Sequence, residues 1–162
     1  GHMNLKNVGR GNDSARINGF NYRVTEFQGA IGKVQLSKLK KLIKSNKQKY
    51  LLIESYLKKK YEIRKIYNRT VPNYDTFIFF VNNKVQKNKI LNLLKKSKIG
   101  TKNLPDAIKW HCSYYWSHCL QKSEIKNSIS TKEKLDKAIA IPINFKINLK
   151  KYKSLSKKIK NL

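Results

Sequence analysis

Acidic side chains are scarce in this chain: Asp and Glu number 9 in 162 residues, against 37 Lys and Arg. That leaves little material for a hydrolase built on paired carboxylates. Sulfur is scarce as well, with two cysteines and one methionine, and no paired C-x-x-C from which a zinc or redox site is ordinarily made. No apolar run approaches the roughly 20 residues that cross a bilayer as a helix, and nothing after residue 3 has the pattern of a signal peptide. The phosphate-binding G-x-x-x-x-G-K-[ST], the zinc-binding H-E-x-x-H and the nucleophile-bearing G-x-S-x-G are all missing. Proline occurs only at Pro72, Pro105 and Pro142, so everything before Pro72 is open to long helix.

Lysine is what the chain has in excess. A formal net charge of +28 predicts attraction to polyanions such as nucleic acid or an anionic membrane surface, and a lysine-rich binding module of that kind is one candidate function. Two features weigh against it, leaving neither nucleic acid nor membrane as the expected partner. The lysines are scattered among abundant Asn and Ile, as the composition of an AT-rich genome produces. Arginine, preferred for bidentate phosphate contacts, is confined to Arg10, Arg16, Arg23, Arg64 and Arg69. With 40% hydrophobic residues the chain can bury one core of ordinary domain size. Gly1-His2-Met3 reads as the scar of a cleaved purification tag joined to an initiating Met, so His2 is set aside.

The periodicity divides the chain into a tag scar (1–3), a Gly- and Asn-rich loop or arm (4–24), a long helical lead (25–60) and a small α/β sandwich domain (61–162). Phe27, Ile31, Val34, Leu39, Leu42, Ile43, Tyr50 and Leu57 recur at helical spacing. A helix of that length predicts a bend or break near Ser45-Asn46, where propensity falls. Thr76 to Val81 is a dense aromatic and β-branched run and predicts a buried strand. Val85 to Ser97 predicts a helix closed by Gly100, and a second strand is expected over Ile99 to Leu104. Ser130 with Glu133 predicts the cap of a helix to Lys137, Ala138 to Ile143 a strand ending near Pro142, and Asn148 to Lys160 a C-terminal helix. The expected fold class is α+β, a long N-terminal helical segment followed by a small, mostly antiparallel sheet covered on one side by helices.

The most informative stretch is Gly19-Phe20-Asn21-Tyr22-Arg23-Val24-Thr25-Glu26-Phe27-Gln28-Gly29-Ala30-Ile31-Gly32. Thr25 and Gln28 form a capping box, so a helix is expected to begin at Thr25. Polar groups stand immediately ahead of it, where backbone N–H groups and the helix dipole favour an anion. Taken alone, Asn21 suits the turn before a helix and Arg23 is a solvated charge.

Together with Val34-Gln35-Leu36 and Lys38-Leu39, this stretch resembles the G-x-N-Y-R-M-T-E-x-Q-A-A-I-G-x-x-Q-L-x-x-L segment of the DegT/DnrJ/EryC1/StrS family of pyridoxal-phosphate-dependent sugar aminotransferases. Departures are Val24 for the usual Met, Gly29 for the usual Ala, and Lys33 where a small or apolar residue is common. The chain that follows has the length and element order of the family's C-terminal part. The resemblance implies that Asn21 reaches the phosphate of pyridoxal phosphate in a neighbouring subunit, with Tyr22 and Arg23 beside it as cofactor-binding residues. The lysine that carries the coenzyme lies, in that family, in a large domain upstream of this motif. No residue here is therefore assigned a catalytic role, and the chain alone is expected to be inactive and not to hold the coenzyme.

On the same resemblance the partners are a catalytic large domain or a split-gene partner chain, a second copy in a homodimer, a sugar substrate and an amino donor. The implied reaction is amino transfer from glutamate to a keto or aldehyde sugar for surface polysaccharide, in the cytoplasm. A degenerate, non-catalytic protein kept for assembly is a further alternative.

Leu104 to Cys119 carries both tryptophans and the two remaining histidines. It resembles the W-H-x-x-x-x-W-x-H region of aminotransferases acting on octulosonate-type acids, which implies that Trp110, His111, Trp116 and His118 line the substrate side of the site. Packing of aromatic rings is the alternative. Metal binding by His111-Cys112 and His118-Cys119 is not expected: if the segment is helical, the two pairs stand about 10 Å apart along the axis, too far for one ion or for a disulfide. Two free thiols suit a reducing compartment.

Overall fold

A computed structural model describes residues 24–162. The chain divides into two units, Gly1–Leu39 and Lys40–Leu162; helix α1 (Glu26–Leu57) contributes to both.

In the first unit the helix opens as its sequence requires. The Thr25 N–H donates to Gln28 Oε1 at 3.0 Å and the Gln28 N–H donates to Thr25 Oγ1 at 3.2 Å, so two end donors are closed by each other's side chains. Beyond the cap, Phe27, Ile31 and Val34 are exposed, Phe27 by 75%. They follow one another by four and then three positions and so share a helix face. No break occurs near Ser45-Asn46, where one was expected: α1 runs through both residues as one helix. The propensity deficit of Ser and Asn is a fraction of a kcal/mol per residue. Tyr50, Ile53 and Leu57, buried in the second unit, outweigh it.

The second unit is built on a three-stranded antiparallel sheet in the order β1 (Glu62–Ile63), β2 (Thr76–Phe80), β3 (Ala138–Pro142). The period of two assigns each face. Phe77 pairs with Ile141 and Phe79 with Ile139, and these four fully buried side chains form the floor of the main core with Tyr50, Ile53 and Leu57 of α1, Ile90 and Leu94 of α2 (Lys84–Lys96), and Tyr152, Leu155 and Ile159 of α6 (Leu149–Lys160). Burying each such side chain contributes about 1.5–3 kcal/mol. The Tyr152 hydroxyl donates to Pro142 O at 3.0 Å and accepts from the Asn144 N–H at 2.9 Å, which ties α6 to the end of β3. The ammonium of buried Lys49 donates to the carbonyls of Asn144 and Phe145 at 2.8 and 3.2 Å, so the same loop is held from α1.

Several local expectations are corrected. The helix expected to close at Gly100 closes earlier, on Lys98, whose φ is 55°. The Lys98 N–H bonds Lys95 O and the Ile99 N–H bonds Leu94 O, a Schellman arrangement that delivers Ile99 to the main core. Residues 99–104 are not a strand. The Lys102 N–H donates to Ala140 O at 3.0 Å and the Ala140 N–H to Leu104 O at 3.2 Å, so the segment only touches the outer edge of β3 before Pro105. The helix expected to be capped by Ser130 is α5 (Ile129–Asp136), preceded by Ser128, with Ser130 inside it.

The stretch bearing both cysteines is not one helix. It is α3 (Ile108–His111), an extended Cys112, a 3-10 turn (Ser113–Tyr115) and, after Cys119, α4 (Lys122–Lys126). The axial-distance argument therefore does not apply to the two thiols; both are nonetheless free, Cys112 buried and Cys119 exposed. This stretch and α5 bring Leu104, Ile108 and Leu135 against Ile78, Phe80, Ala138 and Ala140 on the second face of the sheet, so that face has a partial apolar cover of its own.

Candidate functional site

The second face of the sheet carries the site. Glu62 pairs with Phe80 and Ile63 with Phe79, and the ladder continues as the Arg64 N–H donates to Ile78 O at 3.0 Å. Since Ile63 packs into the main core, alternation places Arg64 over the opposite face, level with Ile78. Ile78 in turn pairs with Ala140, whose outer edge holds Lys102. Arg64 and Lys102 thus enter from opposite edges of the sheet and bracket Ile78, in a cavity of about 340 Å³ that His111, Asn73 and Asn103 also line.

The charges in this cavity are unequal. The Lys102 ammonium lies 2.6 Å from Asp75 Oδ2, and the Thr76 hydroxyl donates to Asp75 Oδ1 at 3.0 Å. Burial would raise the Asp75 carboxyl, but the hydrogen bonds from Lys102 and Thr76, the charge of Lys102 and a contact with Asn73 outweigh it and hold the group below its ordinary range. The other ion pairs among the described residues are Lys132–Asp136 and Lys134–Glu62. Arg64 belongs to none of the three.

Of the residues singled out from sequence, Asn21, Tyr22 and Arg23 lie outside the described residues. His111 lines the cavity. Trp110 is 82% exposed, and His118 is exposed. The Trp116 indole N–H donates to Lys109 O at 3.1 Å, so it braces the turn after α3. The structure thus brings His111 together with Arg64, Asp75 and Lys102, which sequence reasoning missed. Arg64 stands out in the sequence only as one of few arginines, and nothing local ties it to residues so far along the chain. Among the described residues no group of three or more His, Cys, Asp or Glu is gathered as a metal site would require, and no helix is long and apolar enough to cross a membrane.

Comparison with known proteins gives the context. A sequence model of the DegT/DnrJ/EryC1/StrS aminotransferase family matches residues 3–160. The chain belongs to this family. Among solved structures the fold is similar to that of Spr1654 from Streptococcus pneumoniae, described there as a candidate sugar aminotransferase. Its PMP form gives a TM-score of 0.58 and its apo form 0.57, each at 16% sequence identity over 83% of this chain. The chain spans 36% of the length of that protein. No curated protein matches.

Family membership raises the question of pyridoxal phosphate. Among the described residues the start of α1 spends the N–H groups of Thr25 and Gln28 on its own capping box and adds the carboxylate of Glu26 in the first turn, which opposes a phosphate there. These residues alone do not form a cradle for the coenzyme.

Proposed function

We propose that this chain supplies the C-terminal, substrate-facing part of a pyridoxal-phosphate-dependent sugar aminotransferase and is inactive by itself. The family match along nearly the whole chain carries this reading. When bound in the complete enzyme, the coenzyme supplies the electron sink for moving an amino group. The contribution of this chain is positional: Asn21, with Tyr22 and Arg23, toward the coenzyme phosphate of a neighbouring subunit, and the segment of Trp110, His111, Trp116 and His118 toward the sugar. The reaction is amino transfer from glutamate to a keto or aldehyde sugar destined for surface polysaccharide. The apolar face of Phe27, Ile31 and Val34, exposed in the isolated chain, supports a partner surface such as the large catalytic domain.

The test restores whatever coding sequence precedes Asn4 in the source genome and assays the longer protein for coenzyme absorbance and glutamate-dependent amino transfer to keto sugars. The expected result is a bound coenzyme, an affinity for it reduced at least about tenfold by Asn21→Ala, and no activity from residues 4–162 alone. A longer protein that binds no pyridoxal phosphate, or an Asn21→Ala variant with unchanged affinity, overturns the corresponding part of the reading. The lysine-rich module remains the second function class, and salt separates it: binding of the isolated chain to a nucleic acid duplex should fall steeply as salt rises if polyanion recognition is its purpose.

A further inference from the structure

We propose that the cavity over Ile78 is a subsite for a monosaccharide-sized acid whose carboxylate is received by Arg64. The sugar class rests on the aminotransferase reading; the anion and its anchor rest on the geometry. Arg64 is placed over the second sheet face by its ladder position opposite Ile78. Across that face, Lys102 is neutralised by Asp75 at 2.6 Å, and Asp75 is also engaged by Thr76. Among the described residues, one positive charge lining the cavity, that of Arg64, is therefore left without an ion-pair partner. A planar guanidinium receives a carboxylate through two parallel N–H···O bonds.

The remaining lining fits the rest of such a ligand. Ile78, Leu104 and Leu135 supply an apolar floor, while the Asn73 and Asn103 amides and the His111 ring offer hydrogen-bonding groups around it. Asn103 is held in the left-handed region at φ 66°, a conformation Asn tolerates better than most residues. At about 340 Å³ the cavity is at the small end of ligand sites, suited to a single sugar ring. A monoanion matches one uncompensated charge; a phosphate dianion would leave one of its two negative charges unmatched in the cavity.

The test uses the full chain, isotope-labelled, titrated with glucuronate, glucose and glucose 6-phosphate at about physiological salt, where non-specific attraction to the many lysines is screened. Glucuronate is expected to bind at least about tenfold tighter than glucose and to shift the signals of Arg64, His111 and Asn103. Arg64→Ala should abolish the preference while leaving the rest of the spectrum in place, and Lys158→Ala, on α6, should preserve it. Glucuronate binding no tighter than glucose overturns the proposal, as does a preference that survives Arg64→Ala or is lost equally with Lys158→Ala. Glucose 6-phosphate binding at least as tightly as glucuronate overturns the choice of carboxylate. This readout needs no catalysis: acid binding without amino transfer in the longer protein would refute the enzyme reading alone, and transfer without acid binding the subsite alone.

Discussion

The Lys102 ammonium lies 2.6 Å from the Asp75 carboxylate, joining the residue just before β2 to the segment that touches the outer edge of β3. The pair is local to the cavity and the two side chains are each about two-fifths exposed, at 41% and 39%, so solvent screens it. Its contribution to stability is expected to be below about 1 kcal/mol.

The sign of its pH dependence follows from Asp75. Its folded-state carboxyl is held below the ordinary value, so the stabilisation is fully present above the unfolded-state carboxylate range and is lost as pH falls through the depressed folded value. Denaturant titrations at neutral pH and in the acid range should show Asp75→Asn costing less than about 1 kcal/mol at neutrality. The difference from the parent should shrink toward zero in acid. A deficit that persisted when the parent carboxyl was protonated would assign the effect to packing instead.

Lys98 occupies a left-handed position at the end of α2 with φ 55°, where a side chain costs about 1 kcal/mol relative to glycine. Lys98→Gly is expected to raise the unfolding free energy by about that amount, and the urea midpoint with it. Gly100, also left-handed at φ 70°, should behave in the opposite way: Gly100→Ala lowers the midpoint although open space surrounds the position, because the penalty is in the backbone.

Tyr50 is 1% exposed and its ring meets Phe77 edge-on at 4.9 Å and Tyr74 at 5.3 Å. Its hydroxyl is buried without a hydrogen-bond partner among the described residues, a desolvated group that offsets part of what the ring contributes. Tyr50→Phe keeps the ring contacts and is expected to stabilise the chain by up to about 1 kcal/mol. Thermal unfolding decides it: a lowered midpoint would mean that the hydroxyl is satisfied in solution, by water for instance.

The periodic elements were legible in the sequence because the forces that make them are local. Thr25 and Gln28 announce their capping box at a fixed spacing, and the bonds are present. The aromatic run of β2 buries Phe77 and Phe79, the apolar run of β3 is buried on both faces, and Tyr152, Leu155 and Ile159 of α6 turn into the core at helical spacing. Where the sequence misled, a long-range contact or a backbone choice prevailed. The weak point at Ser45-Asn46 stays helical, and residues 99–104 follow the edge of β3 without becoming a strand.

The sequence by itself determined which surfaces are apolar, where the first helix begins and which family's motif spans that start, since each is written in residues close together along the chain. Only the tertiary structure decided the cavity. Arg64, Asp75, Lys102 and His111 converge because strand pairing aligns Arg64 with Ile78 and Ile78 with Ala140, and Ala140 holds Lys102 by a backbone bond. A hydrogen-bond register spanning four separate segments has no signature in any one of them.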